Sequence, residues 1–254
     1  MKKYRYKKID AFAAGTSTGN PAACLLLENG ETLTPAEMLD IAKQHKGFVS
    51  EVVYCFDKGN GEYELYYYSS ECEVDFCGHG TIACTYDLIK NTPSLLAREA
   101  VRFQTHVKGT ITVFNRIADQ DAVFITAPDP VHIGTGVTVA DAAANLGFRE
   151  EEINTNYPLD LIDAGLRTLL VPVRELSALT STFPDMMTLK AFCEKNGIDI
   201  VLVHCLDTEG PGYFAHTRVF APRFGYLEDP ATGSGNSAFG YYLLKNSLWD
   251  GSAI

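Results

Sequence analysis

The chain has 254 residues, 46% apolar and 21% charged, an ordinary globular composition that excludes a disordered, collagen-like or coiled-coil protein. That length suits one large domain or two small ones and can bury a sizeable core. A formal charge of −11 argues against nucleic acid or an anionic membrane as a partner, although backbone amides can still hold a small anion.

The start is basic, but Asp10 interrupts it before any long apolar stretch, which makes a poor signal peptide. No apolar run approaches the ~20 residues of a membrane helix. The seven cysteines are odd in number, irregularly spaced and without a Cys-x-x-Cys pair, which fits reduced thiols in a cytosol. The expectation is a soluble, cytoplasmic protein.

Along the chain, Thr34, Pro35 and Glu37 form a capping box that opens a helix to about residue 45. Runs rich in Val, Ile, Tyr and Phe at 49–56 and 64–68 read as strands. The segment 81–89 is apolar or small almost all the way round, the pattern of a helix enclosed by other structure. Strands follow at 110–114 and 122–125. The Gly-, Asp- and Asn-rich stretch 119–163 holds the boundary between two halves, 1–117 and 118–254. Strands at 168–173, 199–206 and 213–220 complete the set. An amphipathic helix at 185–196 is stopped by Gly197, and a last enclosed helix occupies 237–244.

The two enclosed helices open with the same kind of peptide, Cys77-Gly78-His79-Gly80 and Thr232-Gly233-Ser234-Gly235. Gly78 and Gly233 are 233 − 78 = 155 residues apart, corresponding places in a duplicated chain. Glycine lets a ligand approach the backbone, and the first amides of a helix are donors at the positive end of the macrodipole. Two such ends facing one cleft would cage a carboxylate without lysine or arginine. The alternative is that these glycines only let the helices pack tightly.

Several motifs occur in a characteristic order. Gly19-Asn20-Pro21-Ala22-Ala23 follows a strand at 9–12, and Ser50-Glu51 begins another. Glu73-Val74-Asp75-Phe76-Cys77-Gly78-His79-Gly80 leads into the first enclosed helix. Asp163-Ala164-Gly165-Leu166-Arg167 lies past the middle. Arg218 to Pro222 precedes Glu228-Asp229-Pro230-Ala231-Thr232-Gly233-Ser234-Gly235. In this order and spacing, over nearly the whole chain, the set resembles the phenazine-biosynthesis isomerase (PhzF-like) family, related to diaminopimelate epimerase.

The resemblance implies an α+β fold of two pseudo-symmetric domains, each a β-barrel-like sheet wrapped round a central buried helix, with the active site between them. It implies a homodimer, no metal or organic cofactor, and proton transfer between carbons of a small carboxylate-bearing substrate. Such transfer needs a base of raised pKa, an acid, and stabilisation of enolate-like charge. Glu51 matches the family's catalytic glutamate and has apolar flanks, Phe48, Val49, Val52 and Val53; the residues alone also allow a solvated strand-end carboxylate. His79 matches the active-site histidine, and otherwise reads as a helix cap. Asp229 matches an aspartate that positions substrate or bonds the histidine, and otherwise starts a turn before Pro230. Asn20, Glu73, Asp75 and Ser234 are further candidates for substrate or amide contacts, with Gly78, Gly80, Gly233 and Gly235 at the helix starts.

Two departures qualify the resemblance. The related epimerases use two thiols, and here Cys77 stands at the first position while Thr232 occupies the second. A hydroxyl is too weak an acid to replace a thiol, so two-thiol racemisation is disfavoured and Cys77 reads as a small packed residue. Cys72, Cys77, His79 and Cys84 fit no familiar zinc spacing. The sequence also stops soon after the second enclosed helix, where family sequences usually continue with strands; either the chain is shortened or its final strands lie beyond this sequence, and only if they are absent does the second half have an open edge. The reading that follows is a cofactor-free isomerase. Its alternatives are an amino-acid or hydroxy-acid epimerase using Cys77, and a carboxylate-binding protein without turnover.

Overall fold

The computed structural model describes residues 3–13 and 15–252; the first two residues of the basic start and the last two of the chain end lie outside these. The first unit is a seven-stranded sheet with strands in sequence order: β1 (Arg5–Ala11), β2 (Asn20–Leu27), β3 (Glu51–Gly59), β4 (Glu62–Tyr68), β5 (Ala100–Thr105), β6 (Gly109–Arg116) and β7 (Ala122–Ile125). Two joins are parallel, β2 with β3 and β4 with β5, and parallel neighbours require crossovers. The first crossover is α1 (Pro35–Gln44), opened by the expected box: Thr34 accepts the Glu37 amide and Glu37 accepts the Thr34 amide. The second carries α2 (Gly78–Asn91) and the short α3 (Pro93–Leu96); α4 (Ile117–Gln120) joins β6 to β7.

Strand alternation separates the two faces of this sheet. Val52 and Tyr54 of β3 pack with Met38 and Ala42 of α1. Val53 and Cys55 face α2 instead. Nine of the fourteen residues of α2 are buried, and it touches both edge strands, β1 and β7, as well as β2, β3 and β6. The sheet therefore curls round the helix.

The second unit holds β8 (Val131–His132), α5 (Val139–Leu146), β9 (Asp160–Asp163), β10 (Arg167–Pro172), α6 (Leu176–Ser181), α7 (Met186–Asn196), β11 (Ile200–Cys205), β12 (His216–Phe220), β13 (Glu228–Asp229) and α8 (Gly233–Lys245). Its sheet runs β13-β12-β11-β10-β9-β8, with the single parallel join between β10 and β11. Leu146, Leu189 and Phe192 of the crossover side pack on Leu169, Val171, Val201 and Val203, while α8 packs on β9, β10 and β11. Both units follow one plan: an antiparallel pair, a helical crossover, a parallel strand, an antiparallel strand and a helix packed on the sheet. The fold is the expected α+β arrangement of two sheets, but only the first curls round its helix; α8 lies against β9 to β11 with six of its thirteen residues buried.

Internal contacts divide the chain into Met1–Pro128 and Asp129–Ile254, later than the expected 117/118 boundary because β7 pairs with β6. The stretch 119–163 is not simply a linker. It contains α5, fixed by a second capping box between Thr138 and Asp141. The run 213–220 is strand only from His216; its first residues follow the Gly210-Pro211-Gly212 turn. β5 was not expected, although its strict alternation of exposed and buried residues is a strand pattern. α2 and α8 start earlier than expected, with Gly78 and Gly233 as their first helical residues. Among the described residues no helix is long and apolar enough to cross a membrane.

Candidate active site

Glu51 is the first residue of β3 and is 3% exposed. The parallel register sets it beside Ala22 of β2, two residues past Asn20, which is fully buried. Ser50 donates to Asn20 Oδ1 at 3.4 Å, so a neutral pair joins the starts of the two parallel strands.

The start of α2 meets Glu51 there. Cys77 is the N-cap, and its Sγ accepts the Gly80 amide at 3.3 Å. His79 follows as the second helical residue, with Nε2 3.3 Å from Glu51 Oε2. The Cys77 sulfur lies 3.7 Å from Glu51 Oε2 and 3.6 and 3.9 Å from the two His79 ring nitrogens. A carboxylate, an imidazole and a thiol thus form one buried cluster. The hydroxyl of Thr81 donates to the Cys77 carbonyl at 2.7 Å, and Tyr67 Oη lies 2.7 Å from Thr81 Oγ1. Burial pushes the Tyr67 phenol up, so it stays protonated and donates to Thr81. Gly80 has no room for a side chain: a Cβ would lie 2.7 Å from Val53 Cγ2 and 2.8 Å from Cys77 Sγ. This glycine lets the cap sulfur and the helix start lie flat on the sheet.

The start of α8 is built alike and furnished differently. Thr232 is the N-cap, but its hydroxyl donates to Asp229 Oδ2 and makes no cap bond to the helix amides. Asp229 ends β13 and is 6% exposed. Asn236 donates to the Thr232 carbonyl at 2.9 Å and accepts from Thr217 at 3.4 Å, an analogue of the Tyr67–Thr81–Cys77 relay. A Cβ on Gly235 would meet Val219, Thr232 and Ile200 at 3.3 to 3.5 Å. Ser234 is buried at the second helical position, where His79 stands in α2.

Of the residues expected from the sequence, Glu51 and His79 come together with Gly78 and Gly80 at one helix start, and Asn20 heads the neighbouring strand. Asp229, Gly233, Ser234 and Gly235 gather at the other helix start. Glu73 and Asp75 do not join either group. Glu73 accepts from Tyr68 at 3.4 Å and pairs with His106 Nδ1 at 2.6 Å, and Asp75 is exposed, 4.0 Å from Lys108. Cys77 is buried, as the sequence predicts for a packed residue; its thiol also caps α2 and touches both Glu51 and His79. Its place three residues before a helical glycine was the available signal for the cap. Among the described residues the one set of three or more donors within 4.8 Å is Glu51, Cys77 and His79; Cys72 and Cys84 do not join it.

The model of the phenazine biosynthesis-like protein (PhzC–PhzF) family matches residues 9–253. The chain belongs to that family. An uncharacterized isomerase of Clostridium acetobutylicum is 26% identical over 254 residues, covering 98% of this chain and 82% of the relative. The crystal structure of a PhzF-family phenazine biosynthesis protein from Bacillus anthracis superposes with a TM-score of 0.76 at 24% identity, over 95% of this chain and 80% of that one. A hydroxyproline epimerase from Agrobacterium vitis, solved with trans-4-hydroxy-L-proline bound, shares the fold with a TM-score of 0.65 at 13% identity, over 99% of this chain and 80% of that one.

Proposed function

We propose that this family member is an isomerase that moves a proton between carbons of a small carboxylate-bearing metabolite, without a cofactor, with Glu51 as the base. The observation that carries this reading is the buried Glu51–His79 contact of 3.3 Å at the start of α2. A carboxylate removed from water is a stronger base. Glu51 Oε2 takes the proton from a carbon beside the substrate's carbonyl or carboxylate, and the neutral acid returns it to another carbon. His79 holds the substrate and donates to the charge that develops on its oxygen. Backbone amides near Gly78 to Gly80 and Gly233 to Gly235 bind the carboxylate. Asp229, fixed by Thr232, positions the substrate. That the A. vitis epimerase holds an amino-acid carboxylate agrees with this substrate class.

The test is an NMR screen of small carboxylic acids in deuterated water, read as carbon-bound deuterium. Glu51→Gln keeps the size of the side chain and cannot accept the proton. It should fold, still bind the substrate and lose at least a thousandfold in exchange, about 4 kcal/mol of barrier; Asp229→Asn should lose less. Near wild-type exchange in Glu51→Gln would place the base elsewhere, and binding without exchange would make the protein a carboxylate receptor.

A second reading is favoured by the Cys77 sulfur lying 3.7 Å from Glu51 Oε2. Here the protein is an amino-acid or hydroxy-acid epimerase in which Cys77 supplies one acid. A loss above about a hundredfold, ~2.7 kcal/mol, in Cys77→Ala supports it; retained exchange supports the carboxylate mechanism.

A further inference from the structure

β4 and β5 are parallel neighbours that diverge. Their ladder holds only two residue pairs, Glu64 with Gln104 and Leu65 with Thr105, although β4 has seven residues and β5 six. Toward the start of both strands the sheet opens into a slot of about 860 Å³, within the range of roughly 300–1,000 Å³ usual for small-molecule sites. The buried rings of Tyr63 and Phe103, with centroids 5.6 Å apart, line its bottom. Arg98 closes the far end, since a Cβ on Gly61 of the β3–β4 turn would lie 3.4 Å from its Nη2. The slot is remote from the start of α2. Along β3, 59 − 51 = 8 residues separate Glu51 from Gly59, the partner of Glu62, which is about 26 Å of strand.

The two walls of the slot carry opposite charges that do not meet. Two residues back from the Glu64–Gln104 pair, Glu62 and Arg102 lie on the same exposed face and would oppose each other in a continued ladder. Among the described residues neither makes an ion pair or a side-chain hydrogen bond, and the Arg98 guanidinium makes none either. Acidic partners are not scarce in a chain with 32 acidic side chains to 21 basic ones; the Glu64 carboxylate, for one, is taken by Lys58 at 2.9 Å. Two guanidiniums on the β5 side thus face a carboxylate on the β4 side across a cavity. A guanidinium fork matches a carboxylate bidentately, and a carboxylate accepts from an ammonium. We propose that the slot binds a small zwitterion of the amino-acid class, its carboxylate held by Arg98 and Arg102, its ammonium by Glu62, and its side chain over Tyr63 and Phe103. This site is independent of the proton-transfer reading.

Saturation-transfer NMR on the full chain, with each standard amino acid in turn at millimolar concentration, tests the site. At least one should bind, and the deamino acid of the same skeleton should bind at least tenfold more weakly. Arg98→Met and Arg102→Met, both at exposed positions, should keep the parent's unfolding midpoint and each weaken binding at least tenfold, the loss expected for a charge-assisted hydrogen bond. Glu62→Gln should remove the preference for the amino acid over its deamino counterpart. Glu51→Gln should leave binding unchanged, which separates the slot from the start of α2. Binding of no amino acid, binding indifferent to both arginine substitutions, or a deamino acid bound by the parent as tightly as the amino acid overturns the proposal. Loss of binding in Glu51→Gln overturns it as well, because the ligand would then belong to the Glu51–His79 cluster.

Discussion

The two units share a plan and differ where their parallel strands begin. In the first unit the starts of β2 and β3 are joined by a neutral bond from Ser50 to Asn20, and the next residue is the buried carboxylate of Glu51. In the second unit the same junction is a charged clamp. Asp199 accepts from the Arg167 amide, Nε and Nη2 at 2.9 to 3.1 Å, and from Arg223 Nη1 at 2.5 Å. The position that pairs as Glu51 does is Ile200, set against Thr168 as Glu51 is set against Ala22. One copy of the plan places a buried carboxylate at this position, next to a neutral bond between the strand starts. The other fills it with an apolar side chain and locks the strands by ion pairing, keeping its carboxylate, Asp229, on a separate short strand. Duplicated scaffolds can divide labour in this way because the helix start and sheet are the same while single side chains differ.

The comparison can be broken at the glycines first. Gly80→Ala brings a Cβ within 2.8 Å of Val53 and Cys77, so the first unit should lose about 2–3 kcal/mol by overpacking. Gly235→Ala meets only contacts of 3.3 Å or more, and the better helix propensity of alanine offsets them; it should stay within about 1 kcal/mol of the parent. Denaturant unfolding measures both, and equal losses would show that the two helix starts are equally tight.

A second asymmetry is in how each sheet meets the helix packed on it. Cys55 and Cys84 lie there in the first unit, whereas the second has His204 against Phe239 and Tyr242, with ring centroids 4.6 and 5.1 Å away. Neither nitrogen of His204 has a hydrogen-bond partner, and burial lowers its pKa to about 3. The folded state thus binds fewer protons than the unfolded one below the ordinary histidine value of about 6.5. Stability from this group is whole above that pH and is lost as pH falls toward 3, by about 2 kcal/mol at pH 5. His204→Leu should flatten the stability curve over that window and cost little at pH 7, where it removes an orphaned polar group. An unchanged acid slope would mean that other groups set it.

The smallest expected effect tests sameness. Thr34→Ala and Thr138→Ala each break a complete capping box, one in each unit, and each should cost about 1 kcal/mol. A difference well beyond that would show that α1 and α5 do not depend equally on their caps.

What was legible in the sequence was local. The box at Thr34 and Glu37, the stop at Gly197 and the two glycine-flanked helix starts are encoded within four residues, and each appears where its chemistry requires. The family resemblance named Glu51 and His79 but offered Asp229 as the histidine's partner; the contact with Glu51 was not legible, since two residues in different elements meet only through strand register. Cys77 is buried, as expected of a packed residue; its cap bond to Gly80 is local, and only its contact with Glu51 is set by β3. His204 sits in a continuous apolar run and shows its missing partners only once α8 covers it. The short β8 and β9 carry too few residues for alternation to be read.

The enclosure of α2 also sets an order of events during synthesis. The helix ends at Asn91, but β6 and β7, which cover part of it, are completed only at Ile125. A nascent chain emerging from the ribosome therefore displays an apolar helix flank until some thirty more residues are made. Through that interval the first unit exposes aggregation-prone apolar surface, and a pause in translation between the helix and β7 would lengthen its exposure.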